Sequence, residues 1–238
     1  TYVMISNGKF YESQFEEATI ELLREAHWQY AFGDDIHRKY TDPLIEEDLR
    51  NFLAVQYKDK NLTTSEMDSI VANLRNTGGQ NDYYALRNTF LLYRDGYDFA
   101  YSDGRSNPFR LEYIDFEHPV HNIFRCVNQF VMEQGRENRR PDILLFINGI
   151  PVCIIELKNP TKQNATIHDA HTQICTRYMR DIPALLKYCA LAVISDGAKN
   201  ALGATYTPFE FFYEWKKIEN EDKAGKGLDT LRTLLSLI

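Results

Sequence analysis

Residues 141–158 read PDILLFINGIPVCIIELK, and this stretch decides the fold. Two apolar runs, Ile143–Ile147 and Ile150–Leu157, are separated only by Asn148 and Gly149. Short continuous apolar runs are typical of strands buried on both faces, and Asn-Gly between them is a strong hairpin signal. The sequence therefore predicts a hairpin of two central strands.

Three ionisable residues flank this apolar hairpin, namely Asp142, Glu156 and Lys158. Strand interiors rarely carry charge, because an unpaired buried carboxylate costs several kcal/mol. Glu156 and Lys158 are two residues apart on a strand, so their side chains leave the same face. These three residues are the candidates for chemistry.

Whether Asp142 shares the face of Glu156 depends on the turn. A two-residue loop of Asn148 and Gly149 would place the two carboxylates on opposite faces. A three-residue loop with Gly149 in the left-handed conformation would make them diagonal neighbours, roughly 7–8 Å apart between Cα atoms. We predict the odd-length loop or an equivalent bulge; regular two-residue pairing through to Asp142 would exclude a shared site.

The chemistry of such a site follows from its residue types. Two carboxylates suit a hard divalent cation such as Mg²⁺, which bridges to phosphate oxygen and activates a water molecule. Lys158 is suited to neutralise developing charge or to position that water. The alternative is ordinary: a surface Asp at a strand end and a Glu–Lys cross-strand pair, since short motifs often match by chance.

Helical patterns precede the hairpin. Residues 11–27 carry apolar side chains at helical spacing, and Ser13 with Glu16 has the pattern of a capping box. Three further helices are predicted, the second of them starting with a capping box of Thr63 and Glu66. They form a helical insertion at residues 46–57, 63–75 and 82–93.

Strand patterns surround and follow the hairpin. Apolar and polar residues alternate in residues 111–115 and 123–131, which predicts half-exposed strands. Beyond the hairpin we predict further elements: a helix at 166–180, strands at 190–194 and 210–218, and a helix at 228–238. Nothing follows the last helix for it to pack on, so we expect more protein downstream.

Composition excludes several classes of protein. The 238 residues are 44% hydrophobic and 26% charged, which is ordinary for a globular domain. The net charge of −7 argues against a general DNA-coating protein, because non-specific affinity comes mainly from Lys and Arg. No long apolar segment or leader pattern is present, so we expect a cytoplasmic protein that does not associate with a membrane. The cysteines form no CxxC and resemble buried reduced thiols: Cys126, Cys153, Cys175 and Cys189.

The hairpin also resembles a known family. Pro-Asp followed by Glu-x-Lys is the pattern of the PD-(D/E)xK nucleases, and residues 140–160 are similar to the N-terminal nuclease domain of the type I restriction endonuclease R subunit. The likeness extends to residues 12–16, Ile182-Pro183, 194–197 and Trp215-Lys216. Residues 46–94 are less diagnostic.

The resemblance implies a fold and a domain organisation. It implies an α/β fold with a central mixed β-sheet flanked by helices, a restriction-endonuclease-like core with an inserted helical segment. The nuclease domain would cover residues 1–218, with the insertion at about 42–94 and the catalytic core at about 98–218. Residues 219–238 would be a linker and the start of the connection to a downstream motor domain.

The resemblance also implies an activity. Members cut double-stranded DNA in a Mg²⁺-dependent reaction, for which Mn²⁺ is expected to substitute, after ATP-driven translocation by the motor domain. ATP would bind only at that motor, and the complex would include methyltransferase and specificity subunits. The alternative is a non-catalytic DNA-binding or subunit-docking module that retains the nuclease fold. Divalent-metal affinity and the effect of Asp142→Ala on strand breakage distinguish the two.

The resemblance assigns roles to particular residues. Asp142 and Glu156 would be metal ligands, the Leu157 backbone carbonyl a third ligand, and Lys158 the catalytic lysine. An acid of the first helix often completes such sites. Glu16 is our preferred candidate and Glu12 the second; the two are four residues apart and share a helical face.

One departure from the family pattern concerns the helix after the hairpin. Many members carry Gln-x-x-x-Tyr, whereas here Gln173 and Tyr178 are five residues apart and Ile174 occupies the expected register. On an ideal helix the two would point about 140° apart and could not both face the site unless the helix is distorted. We expect Gln173 to contact the site or DNA, and Tyr178 to lie in the core.

Two other groups of residues have rival interpretations. A cationic rim is expected either to guide phosphate or to be merely solvated: Arg136, Arg139, Arg140, Lys158 and Lys162. Of these, Arg139, Arg140 and Lys162 are, with Gln173, our candidates for DNA binding. The aromatic residues at 209–215 are expected to be core or a docking face rather than a surface that stacks bases.

Two HxxH patterns suggest a transition metal at first sight. They are His118 with His121, and His168 with His171. A structural zinc site needs four ligands, usually including cysteine, and none lies near in sequence. We therefore expect no histidine metal site, and we expect His168 and His171 to be exposed at a helix start.

Overall fold

A computed structural model of the chain describes residues 12–158, 166–218, 221–224, 227–236 and 238. The predicted helices are present, and the one predicted at 166–180 contains a π-helix, Gln173–Tyr178. The α-helices are α1 (Glu12–Glu25), α2 (Glu46–Gln56), α3 (Thr64–Asn76), α4 (Asp82–Asp95), α5 (Ile167–Thr172), α6 (Met179–Asp181), α7 (Pro183–Leu186) and α8 (Leu228–Leu235).

The strands form one large sheet and three small ribbons. In chain order they are β1 (Gln29–Phe32), β2 (Tyr97–Phe99), β3 (Phe109–Leu111), β4 (Phe124–Asn128), β5 (Met132–Gln134), β6 (Glu137–Arg139), β7 (Ile143–Ile147), β8 (Ile150–Leu157), β9 (Leu191–Ser195), β10 (Asn200–Ala204), β11 (Tyr213–Glu214), β12 (Lys217–Ile218) and β13 (Glu221–Ala224). The large sheet has seven strands in the order β1-β4-β7-β8-β9-β10-β11. The pairs β2–β3, β5–β6 and β12–β13 are separate ribbons.

The sheet is mixed, and the predicted hairpin lies at its centre. The pairs β1–β4 and β8–β9 are parallel, whereas β4–β7 and β7–β8 are antiparallel. Every residue of β8 is buried, as expected for a strand covered on both faces. The expected α/β fold with a central mixed sheet flanked by helices is therefore confirmed.

Each face of the sheet packs against its own set of helices. On one face Cys153 and Ile155 pack with residues of α1, the helical insertion and α8. On the other face Leu144 and Ile154 pack with the helical segment from α5 to α7. Fully burying an aliphatic side chain contributes about 1.5–3 kcal/mol to the free energy of folding. Because successive side chains of β8 point to opposite faces, the strand stabilises the helices on both sides of the sheet.

The two predicted capping boxes have different outcomes. Thr63 caps α3, and its hydroxyl accepts from the Glu66 backbone N–H while the Glu66 carboxylate accepts from the Thr63 backbone N–H. The box at Ser13 and Glu16 is wrong, because α1 begins at Glu12 and Ser13 lies inside it. The Glu16 side chain is engaged elsewhere, as described below.

The period-two segments are shorter strands than predicted. β3 ends at Leu111, and the next apolar residues, Tyr113 and Ile114, are both buried in an irregular segment. β4 ends at Asn128 because Gln129 adopts a left-handed φ of 56°. The predicted strand at 210–218 is instead a 3₁₀ turn followed by β11 and β12.

The last helix packs into the body of the domain. Leu231, Leu234 and Leu235 of α8 are buried in the core that contains α1. An ion pair between Arg232 and Glu25 ties the two helices together at the surface. The helix therefore packs on α1, an element that precedes it in the chain, and the expectation of further protein downstream stays a prediction.

The cysteines are free thiols, as expected. Burial raises the pKa of Cys126 to about 11 and that of Cys153 to about 12, and it also raises the pKa of Cys189. Cys175 is only partly buried. In the part of the chain that the structure describes, none of the helices is both long and apolar enough to cross a bilayer.

Candidate functional site

The turn of the central hairpin has two residues. Ile147 pairs with Ile150, and both Asn148 and Gly149 have positive φ angles, of 50° and 76°. Such a turn requires left-handed conformations at both central positions, which Asn-Gly supplies at little steric cost. The predicted three-residue loop is therefore wrong.

A β-bulge corrects the register instead. Phe146 pairs with Pro151, but Leu145 pairs with Cys153, so Val152 is an extra residue in β8. Pro151 has no N–H to donate to the ladder, and proline inside a sheet is tolerated at such irregularities. The equivalent bulge that we predicted is confirmed.

The bulge brings the two carboxylates together. Beyond it Ile143 pairs with Ile155, so the next positions, Asp142 and Glu156, lie level with one another. The Asp142 carboxylate also accepts a hydrogen bond of 2.7 Å from the Leu157 backbone N–H. The two acids therefore share one end of the hairpin.

Glu156 is a buried carboxylate with an abnormal protonation equilibrium. It is only 1% exposed, and its Oε1 accepts a hydrogen bond of 2.8 Å from the ammonium group of Lys158. Burial and the nearby negative charge of Asp142 raise the pKa of Glu156 to about 8, although Lys158 acts in the opposite direction. In its ionised form Glu156 therefore places a second negative charge beside that of Asp142.

Lys158 is held between the strand and the following helical segment. Its ammonium group donates to Glu156 and also to Oε1 of Gln173, at 2.7 Å. The side chain of Lys158 is 15% exposed, so the ammonium group lies at the edge of the buried site. Gln173 is thus a site residue, as expected.

The π-helix explains why Tyr178 is also a site residue. A π-helix closes i→i+5 hydrogen bonds, so residues five apart come to one face. The Gln173 amide donates to the Tyr178 hydroxyl at 2.7 Å, and that hydroxyl lies 3.3 Å from Oε2 of Glu156. Tyr178 lies in the core, as expected, and its hydroxyl in addition contacts Glu156. Ile174, in the register expected for Gln, packs in the core.

The first-helix acid lies beside the same end of the sheet. Glu16 accepts hydrogen bonds from the side-chain amides of Asn128 at 2.6 Å and Gln129 at 3.1 Å. Asn128 pairs with Ile143, the residue directly after Asp142. Glu16 is therefore anchored one strand away from Asp142. Glu12 is the first residue of α1, and its side chain lies outside the described part of the chain.

The candidate DNA-binding arginines differ in their pairing. The Arg139 guanidinium bonds to Asp181 at 2.7 Å and Glu137 at 2.5 Å, so its charge is balanced within the domain. Arg136 and Arg140 are exposed. Lys162 lies outside the described residues.

The aromatic segment divides into two kinds of position. Phe212 is buried, and Phe209 packs beside it against the core. Phe211 and Tyr213 are 69% and 62% exposed. Phe212 and the partly buried Phe209 support the expected core role, whereas Phe211 and Tyr213 remain exposed for docking or stacking.

The histidine motifs also differ from one another. His168 is exposed as expected, whereas His171 is partly buried and its Nε2 lies 2.9 Å from the Thr207 carbonyl. His118 and His121 lie beside a buried carboxylate, that of Asp115. Asp115 was not predicted from the sequence, although the HxxH motif that begins three residues after it was the available signal.

A mixed sheet whose central hairpin presents Asp142, Glu156 and Lys158 at one end is a restriction-endonuclease-like fold. The sequence model of the family "Type I restriction enzyme R protein N terminus" matches residues 9–211. The chain belongs to this family.

Individual relatives agree with the family match. The type I restriction enzyme HindI endonuclease subunit of Haemophilus influenzae is 31% identical in an alignment that covers 94% of this chain and 22% of that subunit. The EcoprrI endonuclease subunit of Escherichia coli is 32% identical over 52% of this chain and 40% of its own length. The SsaAORF53P endonuclease subunit of Staphylococcus saprophyticus is 26% identical over 78% of this chain and 19% of its own length. The chain thus spans about a fifth of the H. influenzae subunit.

Proposed function

We propose that this domain is a Mg²⁺-dependent endonuclease that hydrolyses DNA phosphodiester bonds. The observation that carries the proposal is the pair of level carboxylates, Asp142 and Glu156, beside an ammonium group held by Gln173. The names of the relatives, which are endonuclease subunits, support the same reaction class.

The residues fit a hard divalent cation. Carboxylate oxygens are the ligands that Mg²⁺ and Mn²⁺ prefer, and Asp142 and Glu156 supply them from adjacent strands. The raised pKa of Glu156 reflects burial and the repulsion from Asp142, both of which a bound cation offsets. The Leu157 backbone carbonyl is proposed as a third ligand and Glu16, or Glu12, as a further one.

The protein residues have distinct roles in this proposal. When bound, Mg²⁺ supplies Lewis-acid stabilisation of charge on the phosphate and acidifies water. Lys158 places a positive charge at the edge of the site, where it stabilises the charge that develops on the phosphate. Gln173 and the Tyr178 hydroxyl orient Lys158 and Glu156 through the hydrogen bonds described above.

We extend the proposal to the whole protein on the basis of its relatives. Double-stranded DNA would be delivered by ATP-driven translocation in a motor domain elsewhere in the subunit. Methyltransferase and specificity subunits would complete the restriction-modification complex. The pairing of Arg139 with Asp181 and the net charge of −7 favour dependence on such partners for DNA engagement.

The test is a calorimetric Mn²⁺ titration of the wild-type chain beside Asp142→Ala, followed by strand breakage of plasmid DNA. We expect the wild type to bind Mn²⁺ and the variant to lose binding, together with a drop in cleavage rate of about 10²–10³-fold. Asp59→Ala, which removes an exposed carboxylate, is the matched control and should behave as wild type.

Two other outcomes count against the proposal. Wild-type binding that persists in Asp142→Ala would place the metal elsewhere. Cleavage of plasmid DNA that is unchanged by Asp142→Ala would leave the docking or DNA-binding module as the better account of the fold.

A further inference from the structure

A second set of potential metal ligands lies at the opposite end of the hairpin. Asp115, His118 and His121 each offer one ligand atom, and these atoms all lie within 4.8 Å of one another. The Nδ1 atoms of His121 and His118 are 2.9 Å and 3.7 Å from Oδ2 of Asp115. The two imidazole rings stack, with centroids 5.1 Å apart. The three side chains therefore converge on one point.

These distances suit a transition-metal ion. In a tetrahedral zinc site with bonds of about 2.1 Å, adjacent ligand atoms are about 3.4 Å apart. The two observed separations from Asp115 lie on either side of that value, so an ion needs only small movements of the imidazoles. We propose that Asp115, His118 and His121 bind a divalent transition-metal ion, of which Zn²⁺ is the representative.

The ligand types select against Mg²⁺ at this position. Two imidazoles and one carboxylate are a borderline set that favours Zn²⁺, Co²⁺ or Ni²⁺, whereas Mg²⁺ prefers oxygen ligands alone. Three protein ligands leave a coordination position for water or for a further ligand. The imidazoles of His118 and His121 are 62% and 51% exposed, so that position faces solvent.

Asp115 is a buried and preorganised anchor. Its side chain is 4% exposed and accepts hydrogen bonds from the His118 backbone N–H at 2.8 Å and from the Gln56 amide at 3.1 Å. The carboxylate is therefore held in one orientation, as a metal ligand must be.

Hydrogen bonds of one side chain, Asn122, hold the loop that carries the histidines. The Asn122 side chain accepts from the Asp115 backbone N–H at 2.9 Å and donates to the Asp115 carbonyl at 2.8 Å. Asn122 also accepts a hydrogen bond from Asn148, the buried residue of the hairpin turn, at 2.8 Å. Supporting hydrogen bonds of this kind hold ligands in place before metal arrives.

This site is separate from the nuclease site. Six strand positions of about 3.3 Å lie between Asn148 at the turn and Asp142, so the two ends are roughly 20 Å apart. The proposal does not depend on the proposed nuclease activity. A Zn²⁺ ion here would join the exposed histidines to the buried carboxylate and cross-link the loop beside the hairpin turn.

The test is a titration of the chain with Co²⁺ in excess Mg²⁺, followed by displacement with Zn²⁺. Excess Mg²⁺ occupies the carboxylate pair, and the visible absorption of Co²⁺ reports imidazole ligation. We expect one Co²⁺ per wild-type chain and at least about tenfold weaker binding in His118→Ala and in His121→Ala. His168→Ala removes an exposed histidine of the other HxxH motif and should bind as wild type.

Two further measurements keep the outcome clear. Asp142→Ala should retain Co²⁺ binding, which separates this site from the proposed nuclease centre. In the unmodified chain, Zn²⁺ should shift the imidazole NMR resonances of His118 and His121 first. Shifts confined to other histidines, or equal Co²⁺ affinity in His121→Ala, would overturn the proposal.

Discussion

The two ends of the central hairpin bury polar side chains in opposite ways. At the turn, Asn148 is fully buried and neutral, and its side chain donates to the Tyr113 carbonyl and accepts from the Ile123 backbone N–H. At the other end, Glu156 is equally buried but carries an acid whose pKa is raised to about 8. The same pair of strands therefore supports a satisfied amide and an unfavourably placed carboxylate.

This difference is the one expected between a structural polar group and a proposed ligand-binding one. Buried polar groups in folded proteins are normally hydrogen-bonded, and a neutral amide achieves this at little cost. A buried acid beside a second acid raises the energy of its own ionised form. Local violations of this kind are expected where a protein binds a ligand, because the ligand supplies the missing charge.

The largest effect should come from the satisfied end. Asn148→Ala removes three hydrogen bonds of the buried side chain and also strains a left-handed backbone, and we expect a loss of about 3 kcal/mol in the free energy of unfolding. Urea denaturation measures it. Asn61→Ala is the matched control, since Asn61 has a similar φ of 49° but is exposed. Equal losses in the two variants would assign the whole effect to the backbone.

The second effect concerns the charged end and the affinity for metal. Because Glu156 must lose a proton before it binds a cation, Mn²⁺ affinity should fall by about tenfold for each pH unit below 8, or about 50-fold between pH 8 and pH 6. Calorimetric titrations at several pH values measure this. Glu156→Gln should bind weakly with little pH dependence. An affinity of the wild type that does not change across this range would contradict the raised pKa.

A third effect is on the stability of the metal-free protein. The folded-state pKa of Glu156, about 8, exceeds its ordinary value of 4.5, so the folded state holds an extra proton between these pH values. The contribution of Glu156 to stability is therefore present below pH 4.5 and is lost as the pH rises to 8. Glu156→Gln should be more stable than wild type at pH 9, by about 1–2 kcal/mol, with the advantage vanishing towards pH 5. Thermal unfolding at both pH values tests this, and an advantage that does not depend on pH would mean that packing is the cause.

The smallest effect should come from the hydroxyl that joins the π-helix to the site. Tyr178→Phe removes an acceptor for Gln173 and a partner of Glu156, and we expect a decrease in cleavage rate of about three- to tenfold. Tyr188→Phe is the matched control, because Tyr188 is a buried tyrosine whose hydroxyl bonds only to the Leu74 carbonyl among described atoms. A similar decrease in both variants would indicate general loosening of the core.

Sequence reasoning succeeded where the determinants are local. Helical periodicity and the capping box at Thr63 depend on residues within a few positions, and the Asn-Gly turn depends on two residues. The carboxylate pair was predictable because side chains alternate between the two faces of a strand, so the register of the hairpin determines which residues of its two strands share a face. Pro151, which cannot donate to a ladder, was the local signal for a bulge rather than a longer loop.

The rest of the site depends on contacts between distant segments. The π-helix brings the Tyr178 hydroxyl to Glu156. The spacing of an ordinary α-helix does not predict this tertiary hydrogen bond. Likewise, Glu16 has the pattern of a capping residue but bonds to Asn128, more than one hundred positions away. Local patterns favoured the nearby partner, and tertiary packing selected the distant one.

The topology of the sheet has a consequence for the order of folding. Strands β4, β7 and β8 are close together in the chain, whereas β1 reaches β4 only after the loop of residues 33–123 has closed. Contacts that close long loops carry a larger entropic cost and form more slowly. We therefore expect the central meander to assemble before α1 and β1 dock. Glu16 lies in α1, so it would join the other two proposed ligands, Asp142 and Glu156, only when α1 docks. The proposed metal site would therefore be completed at the end of folding.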